Sequence, residues 1–343
     1  MNWAKGFSAS YYATLVDPET WFDEGLVKIT GGSIKKTVSG LRESATVNTT
    51  SVDFDNEVWI RIYLIAKQSV GAGSERVPLF TGLGIPSKSQ RGRIIGTTIE
   101  CFSVLSVIDD VLMPRGWYAP VGTHGVTLIR DLLRQVSKAP VEIADYVDDN
   151  NSLRLKASIV AEGGETYLTM IEKILLAINW RLKMGGDGTI EISPMLEEPV
   201  IAFDSLSYDI INSDSEISYD YNFKECPNVF RAISNDGFAI ARDEKDDSPF
   251  SIQNRGREIW NEEQGVVLAD KETLSDYAIR RLADLQKIST TIGYSRRFIP
   301  GVSPSDLIEL NYPAQNLVGL YMVSTQDIEL NYGASVSEEV IKI

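Results

Sequence analysis

The stretch that decides the fold lies at the C-terminal end: AIRRLADLQKIS (residues 278–289), RFIPGVSPSDLIELNYP (297–313) and GLYMVSTQDIELNYGASVSEEV (319–340). Apolar residues in the first piece recur at helical spacing and predict a helix over 271–288. The period then changes. Residues 307–311 alternate apolar and polar side chains, 320–325 and 327–330 do so again, and the Pro- and Gly-containing run 300–306 reads as a turn. A helix that hands over to alternating strands is the closing meander of a small antiparallel barrel.

Working outward to the other end, DPETWFDEGLVKITGGSIKKTVSGLRESATVN (17–48) reads as an early strand pair with a turn at Gly31 and Gly32, followed by the GLRESA segment from Gly40 to Ala45. Strands are predicted at 26–30, 33–38, 45–53, 58–66, 76–83 and 93–106. In VWIRIYLIA, Val58, Ile60, Ile62 and Leu64 alternate with Trp59, Arg61, Tyr63 and Ile65, as in a barrel wall with one face packed and the other half exposed. Residues 70–75 and 87–92 read as polar connections. Lys88, Arg91 and Arg93 form a compact basic spot there. On an acidic chain such a spot is a solvated turn or a contact with a neighbouring subunit, which makes these three the candidate interface residues.

After residue 125 the period becomes helical. Leu128, Ile129, Leu132, Leu133 and Val136 share one face of a predicted helix with its cap near Thr127 and Pro140 beyond its end, and a second helix covers 165–180. A hairpin follows, in which the turn from Gly185 to Gly188 supplies the positive φ of a tight reversal. Beyond Pro199, strands are predicted at 217–221, 228–234, 238–242 and around Ile252, and ARDEKDDSP (241–249) reads as a solvated acidic loop.

The composition excludes several classes. Hydrophobic residues at 43% and charged residues at 24% are ordinary globular usage, and 343 residues allow two or three cores. Neither a signal-peptide core nor an 18-residue apolar run occurs, so the chain is expected neither to follow the usual export route nor to span a membrane. Cys101 and Cys226 sit in strand-like surroundings and are expected to be buried thiols. A net charge of −15 argues against nucleic-acid binding, since phosphate affinity comes from Lys and Arg.

The search for chemistry returns absences. One histidine, His124, with no cysteine cluster cannot form a usual zinc site, and it lies between glycines in a loop. There is no Walker A sequence and no Gly-x-Ser-x-Gly elbow, while Gly82 and Gly84 run into Pro86 instead of a helix. Asp148, Asp149, Asn150 and Asn151 lack the Gly and bidentate Glu of a calcium loop. No cofactor, metal or catalytic residue is expected. A carboxylate hydrolase needs only two acids about 5 to 10 Å apart, yet no Asp or Glu here sits in a hydrolase context.

The two terminal stretches, in this order, resemble the phage tail baseplate hub family over most of the chain. The resemblance implies a mainly β fold with an α+β insertion: two small antiparallel β-barrel domains (1–115 and 201–343) and a helix-hairpin domain (116–200). It implies a non-enzymatic homotrimer with quasi-sixfold symmetry at the distal end of a virion tail, assembled in the host cytoplasm. Such a ring joins the hexameric tail tube or distal tail protein to a trimeric spike or fibre and leaves a channel for DNA or the tape-measure protein. The acidic balance would then keep DNA in transit from adhering. The alternatives are a cell-wall glycoside hydrolase and a carbohydrate-binding β-protein, the latter resting on Trp3, Tyr11, Tyr12, Trp117 and Tyr118.

Overall fold

Strand formation begins earlier than the alternation suggested. In this computed structural model, which describes residues 1–343 apart from 4, 50–53, 55, 69–72, 92–93, 147–152, 197, 205–216, 222, 235–236, 267, 269–271 and 289, strand β1 covers Ser8–Val16. Its two adjacent tyrosines blur the period, although Ala9, Ala13 and Val16 face inward. There follow β2 (Asp23–Val27), β3 (Ile29–Thr37), β4 (Glu43–Thr49), β5 (Val58–Lys67), β6 (Ser74–Arg91) and β7 (Ile94–Ser103). They pair in the order β2-β1-β5-β6-β7-β4-β3. Ile34, Val47, Ile60, Ile62, Leu64 and Ile99 are fully buried in their common core, each worth about 1.5 to 3 kcal/mol of apolar transfer.

Two expectations change here. The predicted connection 87–92 is strand as far as Arg91, because β6 and β7 pair from Gly82↔Ser103 to Arg91↔Ile94. Strand β5 accompanies β6 only to Gly84 and β4 accompanies β7 only to Thr97, so beyond Lys88 and Thr97 the two strands pair only with each other, as a ribbon, among the described residues. The other change is at Ser103, where β7 stops and the hydroxyl accepts from Leu105 N–H to cap a short helix α1 (Val104–Asp109).

The middle segment contains β8 (Tyr118–Ala119), α2 (Gly125–Val136), β9 (Val141–Ile143), β10 (Ile159–Val160), α3 (Tyr167–Ile178), β11 (Trp180–Met184) and β12 (Ile190–Pro194). Leu132, Leu133, Ile174 and Leu175 share one core with Trp180, Leu182 and Ile192, as the helical spacing predicts. The cap of α2 is His124 and not Thr127: its Nδ1 accepts from Thr127 N–H at 3.3 Å. Asn179 in the left-handed region ends α3 and turns the chain into the hairpin β11–β12, with β9 pairing parallel to β12.

Next come β13 (Ile201–Asp204), β14 (Ser218–Tyr221), β15 (Val229–Ser234), β16 (Gly237–Arg242), α4 (Ile252–Arg255), β17 (Trp260–Glu263) and α5 (Leu274–Ile288). The strand expected around Ile252 is the helix α4, begun by the Ser251 side chain accepting from Asn254 N–H and ended by Gly256 at φ 63°. The acidic loop is not wholly solvated. Asp243 is buried and accepts from Lys245 N–H, the Ser248 hydroxyl and the Gln286 amide. Helix α5 begins with a reciprocal cap between Thr273 and Asp276 and packs on the three-stranded sheet β16-β15-β17 through Tyr277, Ala278 and Leu282.

The chain finishes with β18 (Thr290–Arg297), β19 (Leu307–Tyr312), β20 (Leu317–Glu329) and β21 (Ser335–Lys342). The two alternating runs expected at 320–325 and 327–330 are one strand, with an irregularity in its pairing to β21 between Val323 and Thr325. One edge of β20 pairs with β21. The other pairs first with β19 from Leu317 to Met322 and then with β3 from Thr325 to Glu329. Strand β20 therefore belongs to both β-rich halves and makes them one 13-stranded sheet along the path β14-β18-β21-β20-β3-β4-β7-β6-β5-β1-β2, with β19 branching from β20 and β13 pairing with β19. Among the described residues neither half closes on itself by hydrogen bonds, in contrast to the two closed barrels that the resemblance implies. A strand long enough to serve both halves joins them into one ladder instead.

Candidate assembly core: a buried polar seam and its hairpin clamp

Where the two halves meet, the register aligns polar side chains across five strands. Glu43 on β4 stands opposite Lys36 on β3, Lys36 opposite Gln326 on β20, Gln326 opposite Glu338 on β21, and Glu338 opposite Tyr294 on β18. All five are buried. At one end Arg296 binds both oxygens of Glu338, Nε to Oε1 at 3.0 Å and Nη2 to Oε2 at 2.6 Å, while the Tyr294 hydroxyl and the Gln326 amide donate to the same carboxylate. These partners hold the Glu338 carboxyl below the usual carboxylate range against the opposing effect of burial, and burial and the adjacent Glu338 push the Tyr294 phenol well up. At the other end Lys36 Nζ lies 2.6 Å from Glu43 Oε1, and burial raises the Glu43 carboxyl in spite of that ammonium.

The hairpin β11–β12 bridges this seam to the rest of the molecule. Its tip rests on β5 and β6: Arg61 Nη2 and Trp21 Nε1 donate to Asp187 O at 2.9 and 3.0 Å, and the Thr81 hydroxyl donates to Gly186 O at 2.9 Å. A Cβ on Gly186 would overlap the Pro78 carbonyl, and one on Gly188, which has φ +85°, would lie 2.8 Å from the Trp21 ring. Of the turn glycines only Gly188 needs a positive φ; Gly186 is needed for close approach. Arg61 and Tyr63 were expected on a half-exposed face of β5. They are buried because the tip and Trp21 cover Arg61 and because Asp23 receives both side chains, at 2.9 Å from Arg61 Nη1 and 2.6 Å from the Tyr63 hydroxyl.

The strands of the hairpin hold the C-terminal half. Asp306, fully buried, takes Arg181 Nη1 at 3.1 Å, Lys183 Nζ at 2.8 Å and Ser303 N–H at 2.8 Å, and Arg181 also donates to Ser305 O at 2.5 Å. Two non-glycine residues in the left-handed region flank this clamp, Trp21 at φ 63° and Ser305 at φ 74°. Such backbone costs about 1 to 2 kcal/mol per residue. It persists where surrounding contacts over-determine it, and here both residues are fastened to the hairpin.

The basic spot lies elsewhere. Lys88 is exposed on the ribbon, Arg91 ends β6 with its side chain outside the described residues, and Arg93 is outside them altogether. Residues 148–151 are outside them too. Cys101 and Cys226 are buried thiols, and burial pushes the Cys101 thiol up to about 12. Among the described residues no group of three or more His, Cys, Asp or Glu could hold a metal, and no helix is long and apolar enough to cross a membrane. The aromatics suggested for sugar binding do not form one platform: Trp3 packs edge-on to Phe7 and Phe298, Tyr12 stacks on Tyr63, and Trp117 packs on the middle core, leaving Tyr118 well exposed. The seam and clamp were not anticipated from sequence. Their one legible signal was Arg61, a charge in an otherwise apolar strand.

Sequence comparison matches the chain to no protein-family model and to no curated protein. Its fold does match solved structures. The tail protein from Neisseria meningitidis superposes with a TM-score of 0.67 over 98% of this chain and 97% of its own, at 10% identity. The 43 kDa tail protein of prophage MuSo2 from Shewanella oneidensis gives 0.66, covering 98% of each chain at 12% identity. An Escherichia coli component of the type VI secretion system, itself described as similar to T4 bacteriophage tail proteins, gives 0.54 over 92% of this chain and 74% of its own, at 6% identity. The chain has the fold of phage tail proteins, as its two terminal stretches implied.

Proposed function

We propose that this chain is the structural hub of a phage tail baseplate or tail tip, a homotrimeric ring whose two β-rich halves present six similar surfaces. The observation that carries this reading is the end-to-end likeness to phage tail proteins, which covers 98% of the chain. The welded sheet and the clamped hairpin support it, because a part that transmits load between tube and spike must move as one body. We assign residues 1–115 and 201–343 to two barrel-like domains that alternate round the ring, and 116–200 to an outer helix-hairpin domain. Two similar domains in each of three chains match a hexameric tube on one side and a threefold spike or fibre on the other, and closed rotational symmetry limits growth.

In this reading the axial face is net negative, since positive groups within about 8 Å of passing phosphates would hold them at physiological salt. Lys88, Arg91 and Arg93 then meet protein neighbours through the ribbon. The role is structural. A glycosidase would need two accessible carboxylates astride a cleft, whereas the carboxylates buried beside the hairpin, Asp306, Glu338 and Glu43, are already paired with Lys183, Arg296 and Lys36. Native mass spectrometry and negative-stain imaging test the proposal. The expected result is a trimer with an axial hole and subunit interfaces above roughly 2,000 Å²; an ordered monomer within the assembled tail would overturn it.

A further inference from the structure

Between the hairpin, strand β6, the 298–303 turn and the polar seam lies a hollow of about 190 Å³, walled by Pro78, Gly185, Gly186, Gly301 and Gln326. A second space of about 10 Å³, enough for roughly one water, shares Lys36, Lys183, Met184 and Ser303 with it and ends at Glu43. The cations around these spaces have carboxylate partners: Lys36 with Glu43, Lys183 and Arg181 with Asp306, and Arg42 with Glu172. Two acceptors remain. Glu191 lines the larger hollow with no ion-pair partner within 4 Å among the described residues, and Glu43 Oε2 is buried with no hydrogen-bond donor.

Both carboxyls have raised proton affinity. For Glu191 the cause is first burial and then the like charges of Glu142, Asp187 and Asp306, opposed by Lys183. For Glu43 it is again burial first, with Glu191 adding to it against Lys36. Glu191 is near enough to disfavour the charge of Glu43. A ligand that removes this penalty must be cationic and must carry donors pointing in more than one direction.

We propose that the hollow receives the guanidinium group of an arginine from a partner protein, anchored on Glu191 with an N–H directed toward Glu43 Oε2. A planar fork of five donors can serve two carboxylates at once, which an ammonium point charge on a single approach does less well. At Gly301, which lines the hollow, a Cβ would meet nothing within 4 Å, so that wall leaves a flat group room to enter beside backbone. The site belongs to the isolated chain, so its test does not depend on whether the chain forms a ring.

The experiment is calorimetric titration of the purified full chain with methylguanidinium chloride, with acetyl-Gly-Arg-Gly-amide, and with tetramethylammonium chloride as a cation without donors. Saturable binding is expected for the first two and not for the third. Glu191→Gln should weaken it at least tenfold, Glu191→Asp should retain it within about threefold, and Glu244→Gln, at an exposed acid following β16 in the separate three-stranded sheet, should leave it unchanged. Absence of saturable binding to wild type, equal binding of tetramethylammonium, or unchanged affinity in Glu191→Gln would overturn the site. Binding of methylguanidinium but not of the peptide would overturn its assignment to a partner's side chain.

Discussion

The two ends of the buried seam are built from the same kinds of residue and differ in completeness. Around Glu338, both carboxylate oxygens are satisfied by Arg296, Tyr294 and Gln326 inside a continuous sheet. Around Glu43, one oxygen takes Lys36 and the other takes nothing, beside a hollow. A buried charge is tolerable when its partners exhaust its hydrogen-bonding capacity, and a partly satisfied one is costly. The complete end reads as a structural fastening. The incomplete end, placed where three parts of the molecule meet, reads as a place kept for something else.

The largest effect should come from breaking the complete end. Arg296→Met leaves Glu338 buried without its cation and should cost about 3 to 5 kcal/mol in urea unfolding, whereas the double variant Arg296→Met with Glu338→Leu should recover much of it. Equal losses in both would mean that packing, not charge pairing, fastens that end. Leu133→Ala gives the apolar reference in the middle core and should cost about 2 to 5 kcal/mol without loosening the seam. Unchanged stability would place the middle helices wrongly.

Gly186→Ala asks how firmly the hairpin tip is seated near the incomplete end. Its Cβ meets the fixed carbonyl of Pro78, so a loss of about 1 to 3 kcal/mol is expected, with hydrogen exchange rising at 185–189 before the sheet opens. Unaltered exchange would show that the tip is not clamped.

The smallest effect is a difference of sign with pH. The Glu338 carboxyl is lowered in the folded state, so its stabilisation is present above the ordinary glutamate value of 4.5 and fades as pH falls through the lower folded value. The Glu43 carboxyl is raised, so its ionisation costs stability as pH climbs from 4.5 through the higher folded value. Comparing each Glu→Gln variant with wild type across pH 3 to 8, about a tenfold change in the unfolding constant per unit of pKa displacement, should give slopes of opposite sign. Slopes of the same sign would erase the contrast between the two ends.

The sequence by itself determined the local periods. Alternation placed β3, β5, β15, β19 and most of β20; helical spacing placed α2, α3 and α5 and grouped Leu132, Leu133, Ile174 and Leu175 in one core. Those assignments depend on neighbours within a few residues, where side-chain direction repeats every 2 or 3.6 positions. The wording of the two termini also carried the phage-tail likeness that the fold displays. Only the tertiary structure decided that β20 serves both halves, that residues 87–91 continue strand β6, that Ile252 starts a helix, and that Arg61 and Asp306 are clamp residues. Each of these turns on partners brought together from distant parts of the chain: Arg61 with Asp187, Lys183 with Asp306, Lys36 with Gln326. A charge in an apolar strand can be seen in the sequence, but the Asp23 carboxylate that neutralises Arg61 and the Asp187 carbonyl that takes its other donor are brought to it only by the packing of separate elements.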